Sequence, residues 1–163
     1  MNLSMTQWIT KTIKLLFDAL HINASDKTMR TMNQFIKFGI VGLSNTAISY
    51  LLNVGVLLVL RDAGLSWDYI AGNVIAFLLS VLWSFYWNNK YVFAQDGGTK
   101  RVWWKALLKT YLCYGFTGIL LNNVLSWIWI TKLGISKFAA PLINLIISVP
   151  LNFMLNKLWA FQS

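Results

Sequence analysis

Four stretches of this chain, Phe38–Leu60, Tyr69–Trp87, Leu112–Ile130 and Phe138–Leu155, contain no Asp, Glu, Lys or Arg. At about 1.5 Å of rise per helical residue, each reaches or nearly reaches across the roughly 30 Å hydrocarbon core of a bilayer. Such segments satisfy their backbone polar groups in lipid only as helices or closed barrels, and continuous apolar runs select helices. The chain is therefore expected to be an all-α membrane protein with four transmembrane helices. Composition agrees: 57% of the 163 residues are hydrophobic and 12% are charged, too apolar for a soluble domain of this size. The first run starts too late and is too long for a cleaved signal peptide. Cys113 has no second cysteine to pair with, so no internal disulfide is expected.

Basic residues set the expected orientation. Lys11, Lys14, Lys27, Arg30 and Lys37 precede the first run, Lys90, Lys100, Arg101, Lys105 and Lys109 lie between the second and third, and Lys157 follows the fourth. The other two connections hold Arg61, Lys132 and Lys137, so the division is eleven against three. Loops rich in Lys and Arg stay in the cytosol, which places both termini and the middle loop there, in a cytoplasmic (inner) membrane. The net charge of +9 then serves orientation and attraction to anionic lipid. Nucleic acid is not an expected partner, because the charges flank spans and form no continuous helical stripe.

Residues 1–33 form a different kind of segment. Trp8, Ile9, Ile13, Leu15, Leu16, Phe17 and Leu20 recur near helical spacing among Lys11, Lys14 and Asp18, which predicts an amphipathic helix in the cytosolic interface. His21 ends it as polar surface, and Asn23 to Asp26 read as a linker. Residues 34–163 then constitute the transmembrane domain.

An internal repeat is expected within that domain. Ser80, Ser84, Asn88, Tyr91 and Phe93 match Ser148, Asn152, Asn156, Trp159 and Phe161 at constant separation. Gly39 and Gly42 match Gly115 and Gly118, and Gly64-Leu65-Ser66 matches Gly134-Ile135-Ser136. Two parallel two-helix repeats follow, related by an axis along the membrane normal.

Steps of four put Asn45, Ser49 and Asn53 on one face of the first span, Ser80, Ser84 and Asn88 on one face of the second, and Asn144, Ser148, Asn152 and Asn156 on one face of the fourth. Amides facing lipid without partners are costly, so these faces turn inward. They serve either interhelical hydrogen bonding or a polar track for a hydroxyl-rich headgroup. The four glycines are read as close helix packing.

Lys37-Phe38, Val41-Gly42 and Asn45-Thr46, then Ala71-Gly72-Asn73 with Ala76-Phe77, and finally Asn152-Phe153, Asn156-Lys157 and Trp159-Ala160-Phe161 give the chain a specific signature. Over about residues 35 to 162 it resembles the GtrA-like family of small four-span membrane proteins of cell-surface polysaccharide synthesis. That resemblance implies movement of a polyprenyl-phosphate-linked monosaccharide to the outer leaflet. Two positions depart from the family pattern: Lys157 stands where arginine is usual, and Asn89 where a basic residue is expected. The candidate substrate-binding residues are Lys37, Asn45, Ser49, Asn73, Ser84, Asn88, Lys105, Lys109, Asn144, Asn152, Asn156 and Lys157. The amino ends of spans one and three, beside Lys37, Lys105 and Lys109, favour a phosphate. Lys90 and Lys157 fit helix-end caps equally well, and the tryptophans, Trp67 included, fit interface belts.

No enzyme is expected, since one histidine, one cysteine and no intramembrane carboxylate offer neither an acid–base pair nor a metal cluster. No cofactor is implied. The missing carboxylate also argues against a proton-coupled multidrug exporter. Expected partners are the polyprenyl-phosphate sugar and membrane lipids. The competing class is a scaffold that recruits a membrane glycosyltransferase. A homo-oligomer with its groove between protomers is as consistent with two-span repeats as a groove within one chain.

Overall fold

The computed structural model describes residues 3–19, 21, 25–63, 68–94, 101–136 and 139–162, and every regular element among them is helical. Helix α1 covers Leu3–Ala19 and α2 covers Asp26–Leu60. Helix α3, Asp68–Trp87, continues into a π-helical turn at Asn88–Val92. The next long rod joins α4, Trp103–Gly115, and α5, Asn122–Trp127, through π-helical residues Phe116–Leu121, and ends in a π turn at Ile128–Lys132. Helix α6, Ala140–Leu155, ends in a π turn at Asn156–Ala160. Trp67, Lys100, Lys137, Asn23, Ala24 and the triplet Gly64-Leu65-Ser66 lie outside the described residues.

Four helices are long and apolar enough to cross a membrane: Asp26–Leu60, Ile70–Val92, Trp103–Lys132 and Ala140–Ala160. The third begins at Trp103 rather than at Leu112, because the helix continues past the apolar run and takes in Lys105 and Lys109. Lysines at a span's end cost little, as their stems lie along the apolar surface while the ammonium reaches water.

Helix α2 also starts earlier than its apolar run. Ser25 caps it, accepting a hydrogen bond from the Thr28 amide at 3.3 Å, so Ser25 and Asp26 belong to a helix start rather than to a linker. With 35 residues, α2 is about 52 Å long and must project well beyond the hydrocarbon. The projecting part receives α1: Ile9 and Ile13 are buried, and Asn33 Nδ2 donates to Thr10 Oγ1 at 2.7 Å. The boundary between residues 33 and 34 therefore falls inside one continuous helix. Trp8, Leu15 and Leu16 on α1 stay exposed, as an interfacial helix requires.

The placement of several polar and aliphatic side chains is unlike that in a water-soluble protein. Ser80, Ser84, Asn88, Thr110, Asn144, Ser148 and Asn156 are buried, whereas Leu43, Val59, Leu142 and Ile146 are 76%, 82%, 66% and 74% exposed. Polar stripes inside and aliphatic side chains outside are stable only when the surrounding solvent is hydrocarbon. The inward turn expected for the stripes of α3 and α6 is present.

The start of α2, the end of α3, the start of α4 and the end of α6 meet at one end of the bundle. An aromatic plug fills it. Phe38 and Phe153 have ring centroids 5.5 Å apart, Phe93 and Phe161 4.7 Å, and Phe85 and Phe161 5.6 Å. Edge and offset ring contacts of this kind add about 0.5–1.5 kcal/mol each beyond area burial.

Candidate functional site

Above the aromatic plug a cleft of about 670 Å³ opens between α2 on one side and the third span with α6 on the other. Its polar lining comes from Asn45 and Thr46 on α2, Tyr114, Thr117 and Asn122 on the third span, and Ser148 and Asn152 on α6. Phe38, Leu43, Leu145 and Val149 supply apolar walls, and Gly39, Gly42 and Gly118 line the remainder. Among the described residues no charged side chain lines it.

Two local features shape this space. The π-helical residues Phe116–Leu121 carry Thr117 and Gly118 into the lining, and single π turns inside α-helices are frequent at functional sites. On the same side of the cleft Pro150, inside α6, lacks the amide hydrogen that would bond four residues back. It sits between two lining residues, Ser148 and Asn152.

The glycines do not serve helix packing. A Cβ added at Gly39, Gly42, Gly115 or Gly118 would meet nothing within 4 Å, which corrects the expectation from sequence. Gly39, Gly42 and Gly118 face the cleft, so the missing side chains create volume instead of close helix contact. Gly72 is the glycine under steric demand: its added Cβ would lie 3.0 Å from Asn53 Nδ2. Asn53 Nδ2 in turn donates to Asn73 Oδ1 at 2.9 Å. Gly72→Ala is expected to displace Asn53 and break that bond, costing about 1 kcal/mol. Thermal unfolding in detergent checks this, and in an Asn53→Ser background, where the donor is already gone, Gly72→Ala should cost nothing further.

Hydrogen bonding separates the predicted asparagines. Asn33, Asn45, Asn88, Asn122 and Asn156 each have a buried Oδ1 without a partner among the described residues, and of these Asn45 and Asn122 line the cleft. A buried acceptor left unpaired costs about 1–3 kcal/mol, so a donor that reached the two on the cleft walls would relieve that cost. Asn144 stands outside the lining. Its Nδ2 donates to Asn122 O at 3.1 Å and Ser126 Oγ at 2.7 Å, and its Oδ1 accepts from Trp129 Nε1 at 3.0 Å. These bonds tie α6 to α5 and to the π turn that follows it.

Asn88 and Asn156 occupy matching places at the starts of their π turns, and neither is exposed at all. Asn156 Nδ2 donates to Asn152 O at 2.8 Å and Asn152 Oδ1 at 2.9 Å. Asn88 Nδ2 donates to Ser84 Oγ at 3.1 Å, and Ser84 Oγ shares a hydrogen bond with the Tyr114 hydroxyl. Through Tyr114 this chain of groups reaches the cleft wall. Ser49 and Asn73 line a neighbouring pocket with Asn45 and Thr46.

The lysines stand outside the cleft lining. Lys157 Nζ donates to Thr31 Oγ1 at 2.7 Å, and Lys109 Nζ donates to Trp159 O at 3.2 Å. Lys105 lies over the Trp104 ring at 5.5 Å. Lys37 directly precedes the lining residue Phe38 and is half-buried. Lys90 sits over the rings of Tyr86, Trp87 and Tyr91 and donates to the Tyr86 hydroxyl at 3.2 Å.

Arg101 is the cation that sequence reading left among the ordinary loop charges. Its guanidinium donates to Asn89 Oδ1 at 2.6 Å, to Phe93 O, and to Phe161 O, with Cζ 5.1 Å from the centre of the Phe161 ring. The carbonyls that finish α3 and α6 are thus held by one side chain. Burial lowers its pKa from the ordinary value, but an arginine remains a cation. A planar fork bridges two carbonyls in a way that a lysine cannot. Replacing Arg101 by methionine is expected to speed amide exchange at Phe93 and Phe161 together, by about tenfold. Faster exchange in one segment alone would contradict a shared clamp.

Tyr114 and Asn122 were also missed, although a signal existed. Thr110, Tyr114, Gly118 and Asn122 follow at steps of four, a polar face interrupted by a glycine.

Four apolar spans wrapped around polar stripes and an uncharged polar cleft define a multi-pass membrane protein. It belongs to the GtrA/DPMS transmembrane-domain family, whose model matches residues 37–161. It is similar to the cell wall teichoic acid glycosylation protein GtcA of Listeria innocua serovar 6a (strain ATCC BAA-680 / CLIP 11262), with 29% identity over 101 residues, covering 60% of this chain and 67% of the relative.

Proposed function

We propose that this protein carries a polyprenyl-phosphate-linked monosaccharide across the bacterial cytoplasmic membrane, with both termini cytosolic, for glycosylation of the cell surface. The observation that carries the reading is the cleft between α2, the third span and α6, whose hydrogen-bonding lining of Asn45, Thr46, Tyr114, Asn122, Ser148 and Asn152 suits the hydroxyls of a sugar. Family membership and the similarity to a teichoic acid glycosylation protein support involvement in cell-wall glycosylation. The sugar lies in the cleft, the phosphate stays near the interface beside Lys37, and the isoprenoid tail remains in lipid. No covalent step is needed, so the protein acts as a carrier rather than as an enzyme. The matched burial of Asn88 and Asn156 supports two related two-helix units.

Liposomes containing only this protein and a polyprenyl-phosphate sugar test the reading, by following the sugar's accessibility in each leaflet. Protein-dependent movement is the expected result. Folded protein that moves none of several candidate lipids, but binds a glycosyltransferase, would establish the scaffold class instead.

A further inference from the structure

Beside the cleft, on the other flank of the α2 polar face, a second pocket of about 480 Å³ lies between α2 and α3. Asn45 and Thr46 line both spaces. The second pocket adds Ser49, Tyr50, Asn53 and Asn73, with Ala76 and Phe77 as its apolar members. It therefore extends from Asn45 toward the bundle end opposite the aromatic plug, the direction in which α2 runs and from which α3 returns.

Its chemistry is specific. Six of its eight lining residues carry hydrogen-bonding side chains, and none carries a charge. Tyr50 is 69% exposed, twelve residues beyond Phe38 and about 18 Å further along the helix. Asn73 is also exposed. Polar groups open to the surroundings at that depth are unfavourable in hydrocarbon. A hydroxyl-rich group offers them both donors and acceptors, whereas a phosphate or a carboxylate would find no cation.

We propose that this pocket is a second binding site for an uncharged sugar headgroup, reached from the cleft past Asn45, so that the sugar occupies two sites in sequence on its way across. The Asn45 side chain stands at the boundary, its Oδ1 without a partner among the described residues. The Asn53–Asn73 hydrogen bond holds the far side of the second site, and its position depends on the absent side chain of Gly72. Because the proposal rests on the carrier reading, binding and movement are measured separately.

The probes are geranyl-phosphate esters of glucose, galactose and N-acetylglucosamine, each tested singly by equilibrium binding to the purified full chain, and a glucuronate ester as competitor. The parent protein is expected to bind two probes per chain. Ser49→Leu should bind one and lose at least tenfold of the movement measured in liposomes, and Asn73→Leu, on the other wall, should behave alike. The glucuronate ester should compete at least tenfold more weakly than the neutral sugars. A single probe per chain in the parent protein overturns the second site, as does an unchanged count in both variants. Equal competition by glucuronate overturns the uncharged class. Two bound probes falling to one in the variants, with no movement by the parent, would uphold the site and reject the carrier. Absence of any binding would reject both.

Discussion

Replacing Gly118 by leucine is expected to reduce movement of the sugar lipid to the protein-free background, a fall of at least tenfold, while the protein folds and accumulates as the parent does. The reason lies in the space around this residue. A Cβ at Gly118 meets nothing within 4 Å, so the first added carbon displaces no neighbour. The remaining carbons extend into a cleft that Gly118 itself lines, where they occupy the volume a sugar needs. Folding does not suffer on local grounds either, since an interior helical glycine is less favourable than a residue with a side chain by about 0.5–1 kcal/mol. Gly42→Leu approaches the same volume from the α2 wall and should act in the same direction. Leaflet accessibility in liposomes reads the loss, and thermal unfolding in detergent reads the fold. Undiminished movement by both variants would mean that the cleft is not the route. Loss of folded protein in both would return these glycines to helix packing.

The fold was legible in the sequence because the bilayer makes heavy demands that composition records directly. Charge-free runs of sufficient length have few alternatives to spanning helices, and steps of four among Ser80, Ser84 and Asn88 fixed which face of α3 turns inward. Helix ends were less legible. Lys105 and Lys109 interrupt an apolar window, yet they do not end a helix whose backbone hydrogen bonds are indifferent to them. The site was legible in part. Asn45 and Asn152 do line the cleft, but Asn144 is fully bonded to the third span, and Lys105, Lys109 and Lys157 are engaged outside the lining. Glycine was the most ambiguous letter. A glycine that admits a neighbouring helix and one that leaves room for a ligand are identical in sequence, and only the atoms around Gly118 and Gly72 tell them apart. Arg101 was hidden for another reason: its partners are backbone carbonyls of Phe93 and Phe161, which no pairing of side-chain types reveals.

Alanine at Asn45 and alanine at Asn156 are expected to fail in different ways, although the sequence places both residues on inward polar faces. Asn45 is half-buried at the boundary of two cavities and its Oδ1 bonds to nothing among the described residues. Its removal relieves an unpaired acceptor and opens already empty space, so stability should hold while sugar-lipid movement falls at least tenfold. Asn156 is wholly buried and holds Asn152 through two hydrogen bonds. Truncating it leaves a cavity and strands the Asn152 carboxamide oxygen, at a cost of about 1–3 kcal/mol. For a domain of this size that corresponds to a fall of roughly 2–12 °C in Tm. Abundance should therefore decline along with activity. Asn88→Ala, which leaves a cavity of the same kind and removes the bond to Ser84 Oγ, should follow Asn156→Ala. Tm and transport measured on the same preparations separate the two behaviours. An Asn156→Ala protein with the parent's Tm and no transport would mean that the wholly buried asparagine acts on the substrate during a state in which the aromatic plug of Phe38, Phe93, Phe153 and Phe161 has opened.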